Sequence, residues 1–431
     1  MKQEKALEIL RSGHNVFLTG PAGSGKTFLL NKYIEELKEN KVGLAITAST
    51  GIAATHIGGR TIHSWSGIGI RDSLNSTELK ALKKKPYLKK EFERVSVLII
   101  DEISMLDAQR LDMIDKVCRA FKKNTLPFGG IQVIMSGDFF QLPPVSREQK
   151  KSEFAYKAQV WSKMDLVICY LTEQFRQNEE DISLVLKSIR SGLVTSEISN
   201  LLLSRINKKL HSTVKPIKLL THNANVDVIN KIELDKIDSE EHDFKMTGSG
   251  DKKLQEYLTK NCLAPQNLVL KVGAQVMFVK NKFKDDKVIY VNGSMGEVVG
   301  FDGENFPIIQ LTSGTEVVAK PDVWTVDDDE AILAKISQIP LRLAWAITIY
   351  KSQGMTLELA EIDLSRAFNY GMGYVALSRL TKLKNLCLLG INDIAYKVDP
   401  QVFIYDRELL ALSDQMGEIR PKTVKQQSSL L

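Results

Sequence analysis

Eight residues near the amino terminus, "GPAGSGKT", fit the spacing G-x-x-x-x-G-K-[ST] with Gly20, Gly25, Lys26 and Thr27 in the specified places. Glycines here, with Gly23 and Ser24 between them, let backbone N–H groups turn inward around phosphate oxygens. The start of the following helix adds positive potential, Lys26 reaches the β- and γ-phosphates, and Thr27 holds magnesium. A second group, "VLIIDEIS", ends an apolar run in Asp101 and Glu102, where acids have no packing role. Asp101 is read as a second magnesium ligand and Glu102 as the group that polarises the attacking water, since phosphoryl transfer is mostly positioning and charge stabilisation. Acids capping the next helix are the structural alternative. These two groups imply nucleoside triphosphate hydrolysis and leave kinase, GTPase and motor open.

The elements that must position them follow from apolar spacing. "NVFLT" (15–19) reads as a strand, the glycine loop follows at once, and "FLLNKYIEELKEN" has helical periodicity. Strands are expected at 42–48, 95–101, 131–137 and 165–171, separated by helices, which is the pattern of a parallel α/β sheet covered on both faces. A second such pattern appears at 217–223, 342–348, 359–365 and 385–391. Between 268 and 336 the text changes to short strands with turn signals, read as a small inserted antiparallel barrel with Asn292-Gly293 as a hairpin turn. The expected division is 1–170 for the first domain, 171–267 with 337–415 for the second, 268–336 for the insert and 416–431 for a loose polar tail.

Further residues bear on what hydrolysis drives. In "TASTGIAATHIGGRTIHSWSG" the small Thr50 and Gly51 admit another backbone, and His63 and Trp65 are able to stack on bases; a tight loop around a core tryptophan is the other reading. "AITIYKSQGMT" is a strand running into a polar loop, and "GYVALSRLT" carries Arg379, an arginine suited to the γ-phosphate. "MSGDFFQLPPV" ends a strand in an acid, Phe139 and Phe140, Gln141 and the stiffening pair Pro143-Pro144, with the phenylalanines read as either core or part of a lever. "KALKKKPYLKKEFERV" is a cationic run, either a solvated helix face or an electrostatic track for nucleic acid.

Bulk composition sets the class. The chain has 431 residues, 43% hydrophobic and 26% charged, which is globular and long enough for two or three domains. An excess of 58 Lys+Arg over 52 Asp+Glu suits a polyanionic partner. Four scattered cysteines make neither a zinc site nor a disulfide framework, and no apolar run is long enough for a bilayer, so a soluble cytoplasmic protein without membrane contact is expected.

From Gln3 to about residue 392 the sequence resembles superfamily-one helicases, and among them the Pif (petite integration frequency) family. The resemblance is carried by "DEISMLDAQRLDMIDKVCRAFKKNTLPFGGIQVIMSGDFFQLPPV", "LTEQFRQ", "LLTHNANVDVIN", "LKVGAQVMFVKN" and "VNGSMGEVVGF". It implies two RecA-like P-loop domains with ATP between them and a Src-homology-type β-barrel inserted in the second. It also implies an ATP- and magnesium-dependent helicase moving 5′ to 3′ on single-stranded DNA and opening duplex or G-quadruplex DNA in replication, repair or recombination. Residue by residue, Gln3 reads adenine, Gln141 touches the γ-phosphate, Arg176 and Arg379 close the site, and Gly354 lies beside the nucleotide. Thr50, Gly51, His63, Pro143, His222, Asn223, Thr348, Tyr350, Lys351 and Ser352 fall at DNA-contacting positions, and 64–73 at a strand-separating wedge. Tyr350 stands where the family usually has histidine, so stacking is retained and titration near neutrality is not. A compact bacterial or viral form working as a monomer is the expectation. A RecD-like helicase, or a P-loop ATPase remodelling a protein partner, stands as the alternative.

Overall fold

Val16–Thr19 is the pivot of the first sheet, four residues buried on both faces. In the computed structural model, which describes residues 1–69, 71–144, 152–177, 179–210, 216–222, 225–284, 287–327 and 332–415, this strand is β1. It is joined by β2 (Leu44–Ala48), β3 (Arg60–Thr61), β4 (Val97–Asp101), β5 (Gln132–Ser136) and β6 (Val167–Tyr170). The order is β3-β2-β4-β5-β1-β6, every pair parallel. Such a sheet must be covered on both faces, which explains the nearly uninterrupted apolar strands. Helices α1 (Gln3–Arg11) and α2 (Lys26–Glu39) cover part of it, burying Leu7 and Leu10 from the one and Leu30, Ile34 and Leu37 from the other in a shared core with Val16, Leu18 and Ile99.

The chain divides into two units, one of Met1–Phe175 together with the stretch from Asp399 onward, the other of Arg176–Val398. Residues 337–415 therefore do not stay together. Helix α3 (Pro400–Asp414) returns to the first unit, where Tyr405 stacks on Tyr156 with centroids 4.1 Å apart and accepts a 2.7 Å hydrogen bond from Trp161 Nε1. Asp406 accepts from the Tyr170 hydroxyl at 2.9 Å. Aromatic burial at these positions outweighs sequence proximity, and spacing alone does not reveal it.

The second unit has a four-stranded parallel sheet of β7 (Ile217–Leu220), β8 (Ala346–Thr348), β9 (Ala360–Leu364) and β10 (Leu386–Ile391), in the order β8-β7-β9-β10. Its strand-rich insertion is wider than 268–336. A five-stranded antiparallel sheet runs Glu316–Val318, Pro307–Leu311, Met295–Phe301, Gln275–Phe278, Leu341–Leu343. Smaller sheets recruit His242–Lys245 and Thr247–Gly250. The single apolar run at 342–348 is thus two strands: Leu341–Leu343 pairs with Gln275–Phe278, and only Ala346–Thr348 pairs with β7. Asn292-Gly293 does form a turn, with Gly293 at φ +96°, but it joins strands of two different sheets and not a hairpin. Among the described residues no helix is long and apolar enough to cross a membrane.

Candidate nucleotide and DNA site

Parallel order places the carboxyl ends of all six strands along one edge, where loops of an open α/β sheet bind ligands. The phosphate loop leaves β1, Asp101 ends β4, the Gln141 loop follows β5 and Thr50 follows β2. Register brings Leu18 beside Ser136 and Ala48 beside Asp101, so these loops start level.

Two glycines of the phosphate loop have no substitute. Gly20 sits at φ +144° and Gly25 at φ +82°; a Cβ would come 2.5 Å from the Leu171 carbonyl oxygen at the first and 2.1 Å from Gln3 Nε2 at the second. Gln3 donates to the carbonyls of Ser24 and Gly25 at 3.3 and 3.4 Å, which fixes α1 against the loop. Lys26 Nζ donates to the carbonyls of Gly20 and Pro21 at 2.8 and 3.0 Å, holding its charge over the loop. Gly23 has φ +84°, and the Ser24 hydroxyl is buried without a hydrogen-bond partner among the described residues. Thr27 is exposed in the first turn of α2.

The acid pair is held by Ser49, the residue that follows β2. Ser49 donates its backbone N–H to the Asp101 carbonyl at 3.0 Å and its hydroxyl to the Glu102 carbonyl at 2.6 Å. Glu102 adopts φ 51°, ψ 44°, a left-handed conformation that costs a non-glycine residue about 1–2 kcal/mol. Strain of this kind persists only where the surroundings over-determine it, as at functional sites. Burial pushes the Asp101 carboxyl upward, opposed by the 2.9 Å bond from Glu102 N–H, the Ser136 hydroxyl and the Lys26 charge. Asp101 and Thr27 supply the hard oxygen donors that magnesium takes, and no group of three or more metal-ligating His, Cys, Asp or Glu side chains exists among the described residues. That set fits a magnesium ion sharing its ligands with phosphate and water, the usual case for this metal.

Spacing alone does not disclose the part played by Asp138. Its carboxylate accepts from Phe140 N–H at 3.2 Å and from Gln141 Nε2 at 3.4 Å, and its carbonyl accepts from Gln141 N–H at 3.0 Å. Gln141 is thereby held inward, 6% exposed. Phe139 and Phe140 are core: Phe139 lies 5.4 Å from Phe17 and 5.0 Å from Tyr156, and Phe140 lies 5.4 Å from Phe403 of α3. Pro143 is half-buried beyond them. Phe175, within "LTEQFRQ", has no role that its sequence context assigns. Its N–H donates to the Gly23 carbonyl at 2.9 Å and its exposed ring borders Gly25, an arrangement suited to stacking on a base. Its place next to Arg176 was the available signal.

Thr50 Oγ1 accepts from Ala53 N–H at 3.2 Å and so caps the helix Gly51–His56. His63 is half-buried in the short helix Ile62–Trp65. Trp65 does not stack on bases: it is 0% exposed, lies 4.7 Å from Phe92 and donates Nε1 to Glu91 at 2.9 Å.

In the second unit the loop after β8 is held by its own side chains. Thr348 Oγ1 accepts from Lys351 N–H at 3.3 Å, and Ser352 Oγ donates to the Ile349 carbonyl at 2.8 Å. Tyr350 is half-buried and accepts from Asn369 Nδ2 at 2.9 Å. Burial and the Arg342 charge lower the Lys351 ammonium pKa, with Asp227 opposing. Gly354 takes φ +81°. Arg379 is buried, donating to the carbonyls of Val375 (2.9 Å), Met355 (3.3 Å) and Ser352 (3.4 Å). Arg176 and Gln177 both donate to the Ser378 carbonyl, at 3.2 and 3.3 Å. Arg176, the 348–354 loop and Arg379 thus form one cluster. His222 is outside these bonds, exposed, with Nδ1 2.8 Å from Thr221 Oγ1 and its ring 5.0 Å from Phe368, an exposed aromatic the sequence reading did not single out. Asn223 lies outside the described residues.

Comparison with known proteins points one way. Residues 2–199 match the family model described as PIF1-like helicase, and 253–301 match that of the DNA helicase Pif1 2B domain. The ATP-dependent DNA helicase Pif1 of Psychrobacter sp. is 43% identical over 93% of this chain and 69% of its own length. That of Bdellovibrio bacteriovorus is 36% identical over 95% of this chain and 92% of its own. The human protein named ATP-dependent DNA helicase PIF1 is 37% identical, and the chain spans only 62% of it. Among solved structures, Bacteroides sp. Pif1 in complex with ADP-AlF4 superposes with TM-score 0.82 at 31% identity, covering 95% of this chain and 96% of that one. Bacteroides Pif1 with ADP-AlF3 and single-stranded DNA gives 0.66 at 32% identity, covering 95% and 96%.

Proposed function

The chain belongs to the PIF1-like helicases, a family of ATP-dependent DNA helicases, and from that membership we propose that it couples ATP hydrolysis to 5′→3′ movement along single-stranded DNA and so opens duplex and G-quadruplex DNA. One observation carries the proposal: a single sheet edge gathers the phosphate loop, the strained acid pair and the Gln141 loop. Gln3 and Phe175 border the loop where a base would lie, and Lys26 swings from the loop carbonyls to the β- and γ-phosphates. Thr27 and Asp101 would hold magnesium, which would supply charge neutralisation for phosphoryl transfer. Glu102, aimed by its left-handed backbone, orients the attacking water, and Gln141 responds to the γ-phosphate. Arg176 and Arg379 supply the further positive charge that phosphoryl transfer requires.

Single-stranded DNA is assigned to Thr50, Gly51, His63 and Pro143 of the first unit and to His222, Asn223, Thr348, Tyr350, Lys351 and Ser352 of the second. The antiparallel sheet around Gln275–Phe278 is the nucleus of the inserted Src-homology-type barrel, and a monomer is the working form. The readiest test is the ATPase rate with and without single-stranded DNA. Strong stimulation is expected; an unchanged rate would favour a P-loop ATPase acting on a protein partner.

A further inference from the structure

Residues 80–90 contain six lysines, Lys80, Lys83, Lys84, Lys85, Lys89 and Lys90, and no acid. They ride on two short helices, Ser76–Lys83 and Pro86–Arg94, outside the nucleotide and single-strand residues assigned above. Neighbouring acids are engaged elsewhere. Glu78 closes a capping box on Asn75 N–H at 2.9 Å, and Glu91 turns inward to Trp65 Nε1 at 2.9 Å and Arg60 Nη2 at 2.8 Å. Glu93 meets the run at Lys89, 3.9 Å away. Lys80, Lys83 and Lys84 are exposed, and none has a carboxylate partner among the described residues. Beneath, Leu82, Leu88, Phe92 and Trp65 are buried, and a Cβ on Gly67 would come 2.7 Å from Leu88 Cδ1, so the platform is tightly packed.

We propose that this lysine face docks the phosphate backbone of double-stranded DNA, separately from the single-strand track; the proposal rests on the DNA-helicase reading. Charge segregation supplies the affinity, because each lysine that neutralises a phosphate releases condensed counterions. Aromatic content decides for duplex over single strand. Single-strand sites stack bases on aromatic rings, whereas this face exposes only Tyr87, whose ring already has Lys85 Nζ 5.9 Å from its centroid. Phosphate contacts need no ring.

The test measures anisotropy of a blunt duplex and of oligothymidine with the full chain carrying Lys80→Gln, Lys83→Gln and Lys84→Gln together. Duplex affinity falls on the order of tenfold, and the slope of log K against log salt becomes shallower by about 2 to 3. Oligothymidine affinity and the ATPase rate at saturating single strand stay unchanged, and the triple Lys→Arg variant retains duplex binding. Equal loss for both DNAs would place the face in the single-strand track and overturn the proposal. No loss for either, or loss in the Arg variant, would overturn it as well. Failure of the helicase reading is distinguishable, because it appears in the unaltered chain as an ATPase that single-stranded DNA does not stimulate.

Discussion

In the first unit Lys26 bonds to carbonyls of the very loop that carries it and stays partly open to water; in the second, Arg379 is buried and tied to carbonyls of two separate segments. Both are cations assigned to phosphate. One is free to change partners at little structural cost, while the other holds together the loop at Ser352 and Met355 and the end of the helix Met372–Leu377. The same assigned chemistry is therefore detachable from folding in one unit and bound up with it in the other.

Substitutions separate these two situations. Lys26→Ala is expected to lower ATP turnover by about 10²–10³-fold, the usual loss on removing one preorganised charge donor, with stability within about 0.5 kcal/mol of the parent because water can satisfy the freed loop carbonyls. Parallel measurement of turnover and calorimetric melting checks both halves. Arg379→Met should lose turnover and also destabilise the second unit by about 1–3 kcal/mol, since buried carbonyls are left unpaired. A variant melting like the parent would show that the carbonyl contacts are incidental.

Tyr350 lies on the same second-unit loop with one side-chain tie, so its replacement should act on DNA more than on folding. Tyr350→Ala is expected to weaken single-strand binding by about 1–3 kcal/mol, the worth of one stacked base. The smallest effect concerns pH. Burial raises the Tyr350 phenol above its ordinary value, with Asn369 opposing, so this residue carries no charge change between pH 5.5 and 7.5. Tyr350→His would add a cation at low pH and lose it as pH rises through about 6.5, so DNA affinity should fall across that range in the variant relative to the parent.

How far the sequence could be read follows the same division. Strand, glycine loop and helix are consecutive in the chain, so local spacing disclosed the arrangement of Gly20 to Thr27, and the apolar run before Asp101 disclosed its strand. Trp65, Phe139 and Phe140 were ambiguous because a ring that stacks on a base and one that fills a core look alike until neighbours such as Phe92, Tyr156 and Phe403 are known. Asp138 acts through bonds within its own loop that have no distinctive spacing, and Phe175 through a backbone bond to Gly23, a position far from it in the chain. The return of α3 to the first unit depends on contacts more than two hundred residues apart, such as Tyr170 with Asp406, and no periodicity records them.

Directional movement is the central claim, and unwinding of two partial duplexes tests it most directly, one with only a 5′ single-stranded tail and one with only a 3′ tail. With ATP and magnesium present, the 5′-tailed substrate should be opened and the 3′-tailed one left largely intact. Preferential opening of the 3′-tailed duplex would contradict the account.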